Sequence, residues 1–265
     1  MRTVAIIQAR MGSSRLPGKV LLPLGKKPVL LRIVERLRLA SRVDEVVVAT
    51  GDGAEDAPVR ELCEREAVAW FAGSETDVLD RFYQAAKHYS ADVVVRVTGD
   101  CPFVDPELVD SVLALRQNEN LAYSGVAIGK DHPESNRFRF PVGFDAEAFT
   151  FMTLEAAWRE GNSPDAREHV TYFIWSQPDR FRQKLLYSER DLGGLRLTVD
   201  WPEDYELAKR LYERLEQVYG VFHLADVLEL LDADAELTTS NRHLVGQEKY
   251  RHLWNTITTL DRGGT

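Results

Sequence analysis

Gln8 to Lys19 read QARMGSSRLPGK, which puts two glycines, two serines and three cations into one short stretch. Arg10, Arg15 and Lys19 bring positive charge, Ser13 and Ser14 bring hydroxyls, and Gly12 and Gly18 leave backbone amides open to approach. Phosphate oxygens are recognised by this set of groups. The stretch is not a Walker A loop. Five residues separate Gly12 from Gly18-Lys19 where that motif has four, Val20 follows the lysine in place of Ser or Thr, and Pro17 removes an amide. The plain alternative is a basic surface turn.

Two carboxylates stand out. Asp100 closes VVVRVTGD and Asp200 closes LTVD, each at the end of an apolar run that reads as a strand. Though far apart in sequence, they can meet at one Mg²⁺, a hard cation that takes oxygen ligands together with substrate phosphates. Each also stands two residues before a proline, so a helix N-cap is the competing role. Arg96 and Thr98 precede Asp100. Gly73, Ser74 and Asp77 follow a third strand, where Ser74 or Thr76 has the alternative of capping the next helix. Asp145 and Glu147 alternate with apolar residues, as on a strand facing a cleft, and suit contact with a second substrate or a second cation. His169 sits in AREHVT. Cys101 reads as a small buried residue, because no histidine neighbour marks it as a nucleophile.

These groups need a frame that brings loops together. Apolar runs at 3–9, 44–51, 67–73 and 93–100 alternate with helical patterns at 28–38, 55–66, 76–87 and 106–117. Four such alternations predict an α/β fold built on a parallel sheet with right-handed crossovers, which binds ligands at the carboxyl ends of its strands. The loops 8–19, 71–77 and 98–102 all fall at those ends. The segment 124–145 is polar and turn-rich and reads as an insertion or hairpin arm. Helices at 150–160 and 164–176, strands at 181–187 and 195–199 and a helix at 202–218 follow. We expect one domain over 1–222, with an insertion at about 120–195, and a helical C-terminal extension over 223–265. That extension includes ADVLELL and EKYRHLW and ends in a disordered DRGGT.

The 265 residues carry a net charge of −9 with 44% hydrophobic content, which excludes a general nucleic-acid binder and permits a full core. Residues 1–40 hold nine basic residues against the single acid Glu35, a balance of +8 that leaves −17 on the remainder. Arg32, Arg36 and Arg38 read as the solvated face of a helix. Arg10, Arg15 and Lys19 are left over as a local anion site. Cys63 and Cys101 make neither a disulfide framework nor a zinc site. The N-terminal run reads as a strand and not a signal peptide, and no stretch is long and apolar enough for a membrane span. The expected location is cytoplasmic.

QARMGSSRLPGKVL resembles the signature loop of the CMP-sugar-acid synthetases, and in particular the branch of acylneuraminate and spore-coat polysaccharide cytidylyltransferases. CMP-KDO synthetases carry a similar ARxxSxRLPGK pattern. The resemblance continues through GSETDVLDRFYQAAK, VVVRVTGDCPFVDP, PVGFDAEAF, AREHVTYFIW and LTVDWPEDYELA. It implies a Rossmann-like, three-layer fold with a mainly parallel seven-stranded sheet and a small acceptor-binding and dimerising part. The implied activity is transfer of CMP from CTP to a sugar or sugar acid. Carried onto this chain, Arg10, Arg15 and Lys19 hold the triphosphate with Gln8, Ala9, Gly12, Ser13 and Ser14. Gly73, Ser74, Asp77 and Thr98 lie beside the nucleoside, and Asp100 and Asp200 bind Mg²⁺. Arg96, Asp145, Glu147 and His169 face the acceptor. A homodimer is implied, with 120–150 as the contact segment. TGDCP stands where the KDO enzymes have a QGDEP-type motif, and Trp201 follows Asp200 where a smaller residue is common there. Both changes bear on the acceptor more than on the nucleotide. Two rival readings are a glycosyltransferase of similar fold, for which Asp232-Ala233-Asp234 is the one tempting DxD, and a non-catalytic nucleotide-binding protein.

Overall fold

The computed structural model describes residues 1–129 and 137–247. Residues 130–136 of the predicted arm lie outside that description, as do 248–265 with the expected EKYRHLW helix and DRGGT end. The first strand, β1 (Thr3–Gln8), leads through the cationic loop to a two-residue hairpin, β2 (Pro23–Leu24) and β3 (Lys27–Pro28), and then to α1 (Val29–Leu37). Next come β4 (Glu45–Gly51), α2 (Ala57–Arg65), β5 (Ala69–Gly73), α3 (Val78–His88), β6 (Val93–Thr98) and α4 (Pro106–Asn118). The second half holds β7 (Tyr123–Val126), β8 (Glu147–Thr150), α5 (Phe151–Glu160), α6 (Pro164–Glu168), α7 (Tyr172–Trp175), β9 (Gln183–Leu186), α8 (Pro202–Val218) and α9 (Leu224–Ala233).

Seven strands form one sheet in the order β5-β4-β1-β6-β8-β7-β9. Only β8 runs against the others. Continuous Val/Ile/Ala runs in β1, β4 and β6 bury both faces of the central strands, as a sheet covered on two sides requires. One face packs on α1, α2, α4, α8 and α9, the other on α3, α5 and α7.

The structure corrects several expectations. The segment read as a polar arm supplies β7, and β8 begins at Glu147, so Asp145 lies in the turn before the strand. The single helix expected at 164–176 is two short ones, because Val170 takes φ +44° and breaks the run. Residues 195–199 form an extended segment stitched by backbone bonds to Val142 and to Asp100 O, with one isolated bridge in place of a strand. Arg32 and Arg36 are not solvated. Arg36 donates to Val104 O and Phe222 O, and Arg32 donates to Leu24 O and pairs with Glu216. An arginine on a helix pattern looks solvent-facing until another element covers it, and here α8 and the chain at 222 do so. Beyond residue 222, Val227, Leu231 and Leu237 join the same cluster as β1 and α1.

Candidate active site

The cationic loop is a closed turn. Met11 O accepts from both Ser13 N and Gly18 N, Leu16 N donates to Ser13 Oγ, and Met11 N donates to the buried Asp56 at 2.6 Å. Gly18 makes the turn possible with φ +67°, a conformation that disfavours side chains. The turn delivers Lys19 to a short 3₁₀ segment, Lys19–Leu21, on the floor of the site.

There Lys19 Nζ lies 2.7 Å from Asp100 Oδ2 and 2.6 Å from Asp200 Oδ1, bridging the two carboxylates. Arg15 donates to the other oxygen of Asp200 at 2.6 Å, and its guanidinium stacks 5.3 Å from the Trp201 ring. All three ion-pair partners are largely buried, with side-chain exposures of 11% for Lys19, 22% for Asp100 and 16% for Asp200. Burial works against the charge on Lys19, but the two carboxylates outweigh it and raise its pKa. Burial likewise works against ionised Asp100, and Lys19, Thr98 and Cys101 hold it well below the usual carboxylate range. Arg15, Lys19, Asp100 and Asp200, distant in sequence, thus form one cluster. Neither aspartate is a helix cap: Asp105 caps α4, and the Asp204 carboxylate receives the first amides at α8.

Sequence reading missed the residues that position this cluster. Asp204 is buried, pairs with Arg196, and accepts from Asp200 N and Trp201 N at 3.1 Å each. An acid at the third position of a Pro-started helix was the available signal. Asp56, buried after β4, ties the cationic loop to Gly51 N. Removing half of a buried ion pair costs about 3–5 kcal/mol. Asp204→Ala is therefore expected to lower the melting temperature by roughly 6–20 °C at this chain length, as read by thermal unfolding.

The remaining candidates divide. Ala9 is buried in the backbone ladder, and Gly12, Ser14 and Arg10 stay at the open side of the loop, where Gly12 faces Glu75 of the 73–77 loop. Ser74 Oγ accepts from Asp77 N, and Asp77 caps α3 and pairs with Arg167, so both side chains are taken up in building the turn. Gly73 ends β5 beside them. Thr98 donates to Asp100 and touches Cys101 Sγ at 3.2 Å. Burial, then Asp145 and Asp100, push the Cys101 thiol well above its ordinary range, which leaves it an unreactive neighbour. Gln8, Arg96 and Glu147 run across the sheet as a polar string, with Tyr123 and Thr171 each donating to Glu147 at 2.7 Å. His169 sits at the break between α6 and α7, its carbonyl facing Thr171. Asp232 and Asp234, the tempting DxD, pair with Arg190 and Arg214 on the surface.

A divalent cation fits the Asp100–Asp200 pair, because hard oxygen donors already hold a cationic group between them in the Lys19 ammonium. Among the described residues the one trio of ligand-type side chains converging within 4.8 Å is Asp105, Glu107 and His223. There Asp105 is occupied as the cap of α4 and as the acceptor for Leu224 N.

A mainly parallel α/β sheet with a cationic loop after its first strand, and two acids meeting beside that loop, defines a nucleotidyltransferase. A family model described as Cytidylyltransferase matches residues 4–226, and the chain belongs to that family. It is similar to the spore coat polysaccharide biosynthesis protein SpsF of Bacillus subtilis, 32% identical over 88% of this chain and 95% of the relative. It is also similar to the 3-deoxy-manno-octulosonate cytidylyltransferase of Anaeromyxobacter sp., 32% identical over 66% of this chain and 74% of the relative. A solved cytidylyltransferase from Leptospira borgpetersenii superposes with a TM-score of 0.82 at 31% identity, covering 90% of this chain and 97% of that one.

Proposed function

We propose that this cytidylyltransferase moves CMP from CTP to a hydroxyl of a sugar acid, releasing pyrophosphate, in the synthesis of a surface polysaccharide. The observation that carries the reading is the single cluster of Arg15, Lys19, Asp100 and Asp200 at the carboxyl ends of the strands. The names of two relatives support the acceptor class, a sugar acid in one, and the setting, polysaccharide biosynthesis in the other.

Asp100 and Asp200 are the residues that would hold Mg²⁺. The metal, when bound, would draw electron density from the α-phosphate. Lys19 and Arg15 then turn from the aspartates to the phosphate oxygens, with Arg10 at the open side. Asp56 fixes the loop through Met11 N, so the donors are set before substrate arrives. The Arg15 guanidinium carbon lies over the Trp201 ring, 5.3 Å from its centroid, which favours its charge there. Positioning and charge supply most of the rate in phosphoryl transfers of this kind. Arg96, Glu147 and His169 lie on the β8 side, where the acceptor enters. A homodimer formed through 120–150 and a cytoplasmic location complete the reading; among the described residues no helix is long and apolar enough to cross a membrane.

Thermal unfolding with Mg²⁺ and each of the four nucleoside triphosphates tests the nucleotide side. A ligand at a hundred times its Kd stabilises by about 2.7 kcal/mol, so CTP is expected to raise the melting temperature by roughly 5–10 °C and the other three by much less. Equal shifts from all four would remove the preference for cytosine.

A further inference from the structure

We propose that Asp145 is the general base of this centre, taking the proton from the acceptor hydroxyl as it attacks the α-phosphorus. The assignment rests on the cytidylyl-transfer reading above, which as it stands leaves that proton without a destination.

The first ground is charge. Each other carboxylate at the centre is matched by a cation: Asp100 by Lys19, Asp200 by Lys19 and Arg15, and Glu147 by Arg96. Asp145 has no ion-pair partner among the described residues. Glu147 cannot take its place, because Arg96, Tyr123 and Thr171 all donate to it.

The second ground is position. Lys19 holds Asp100 by Oδ2, whereas Thr98 and Cys101 approach Oδ1, and the Cys101 thiol lies 3.6 Å from Asp100 Oδ1 and 3.8 Å from Asp145 Oδ2. Asp145 is therefore reached from Asp100 Oδ1 through Cys101, while Lys19 holds Oδ2. An in-line displacement places the attacking oxygen opposite the leaving pyrophosphate. Asp145 Oδ2 is pinned by Gly143 N at 2.8 Å, and Oδ1 has no partner among the described residues. Gly143 holds φ +107°, and a Cβ there would lie 2.4 Å from Leu197 C. The turn is thus pressed onto the segment that carries Asp200, and the two acids are held in register. The side chain remains partly exposed to an entering hydroxyl.

The surroundings give the carboxyl the basicity the role needs. Burial, with Asp100 and Glu147 adding to it against the Gly143 amide and Arg96, pushes Asp145 up to about 7. Two carboxylates whose environments push them apart mark the metal-holding and proton-taking roles. In the step itself, the acceptor O–H bond breaks and its electron pair forms the new O–P bond. The P–O bond to the β-phosphate breaks, with its pair leaving on pyrophosphate. The proton passes to Asp145 Oδ1 and from there to solvent.

The test compares the parent with Asp145→Asn and Asp145→Glu, using Mg²⁺, CTP and 3-deoxy-manno-octulosonate from pH 5.5 to 9. The parent kcat is expected to fall tenfold per pH unit below about 7. Asp145→Asn should lose roughly 10²–10⁴-fold in kcat together with that pH limb, keep its affinity for Mg–CTP, and be partly rescued by glutamate. Parent-like turnover and an unchanged pH limb in Asp145→Asn would overturn the assignment alone. A parent that binds Mg–CTP and transfers nothing would overturn the transfer reading, and the base with it.

A check without acceptor follows from the sign of the shift. An acid with its folded pKa raised loses stability as pH climbs from its unfolded value through the folded one. Asp145→Asn should therefore melt above the parent at pH 8.5, with the gap closing toward pH 4. Equal melting at both pH values would overturn the argument from unmatched charge.

Discussion

Lys19→Met is expected to unfold at a markedly lower temperature than the parent and to recover much of the difference when Mg²⁺ is added. In the parent one ammonium neutralises two largely buried carboxylates, at 2.7 and 2.6 Å. Methionine fills the same space without the charge and leaves Asp100 and Asp200 facing each other. Breaking a buried ion pair from one side costs about 3–5 kcal/mol, which at this size lowers the melting temperature by roughly 6–20 °C. A divalent cation placed between the two acids supplies the missing charge. The parent should gain less from Mg²⁺, because there the metal must first displace Lys19. Catalysis should fall by roughly 10²–10³-fold even with Mg²⁺ bound, since a donor aimed at the developing charge is gone. Melting scans with and without Mg²⁺, together with pyrophosphate release, read all three effects. An unchanged melting temperature without metal would contradict the bridging geometry.

Asp200→Asn is expected to weaken folding and, much more strongly, catalysis. Asparagine keeps the shape of the side chain, and the buried Arg196–Asp204 pair that anchors this segment is untouched. Lys19 keeps Asp100 as a partner, but it and Arg15 lose the Asp200 charge, so melting should fall by roughly 6–20 °C, as for Lys19→Met. What disappears is one of the two carboxylates proposed to hold the metal, so kcat should fall by about 10³-fold. CTP binding should survive in part, because Arg15 and Lys19 are released from Asp200 and remain free to meet the phosphates. Calorimetric titration of CTP with and without Mg²⁺ checks the prediction: the variant should bind CTP but show little dependence on the metal. Full turnover would remove Asp200 from the metal site.

The loop and the two acids were legible in the sequence for a physical reason. Three cations among glycines and serines after an apolar run have few structural uses, and a lone acid at a strand end stands where α/β folds gather ligands. The alternation that predicts the sheet was equally plain, because a strand buried on both faces must be continuously apolar. What stayed hidden depends on long-range contact. Asp56 and Asp204 look like ordinary acids near helix starts until the backbone amides they bind are known. Tyr123 and Thr171 meet Glu147 only because β8 enters the sheet against its neighbours and Val170 breaks a helix. Arg36 fits an amphipathic pattern perfectly well as a solvated residue, and only the fold places Phe222 over it. Ser74 and Asp77 also serve the fold, because a turn followed by a helix uses the same side chains for its own amides.

The central claim is that this centre transfers CMP from CTP. Pyrophosphate release with Mg²⁺, each of the four nucleoside triphosphates in turn, and a panel of sugar acids and sugar phosphates tests it most directly. The account predicts release with CTP and a sugar acid, abolished in Asp200→Asn. Release with another nucleotide in preference to CTP, or none from any pairing while CTP leaves the melting temperature unchanged, would contradict it.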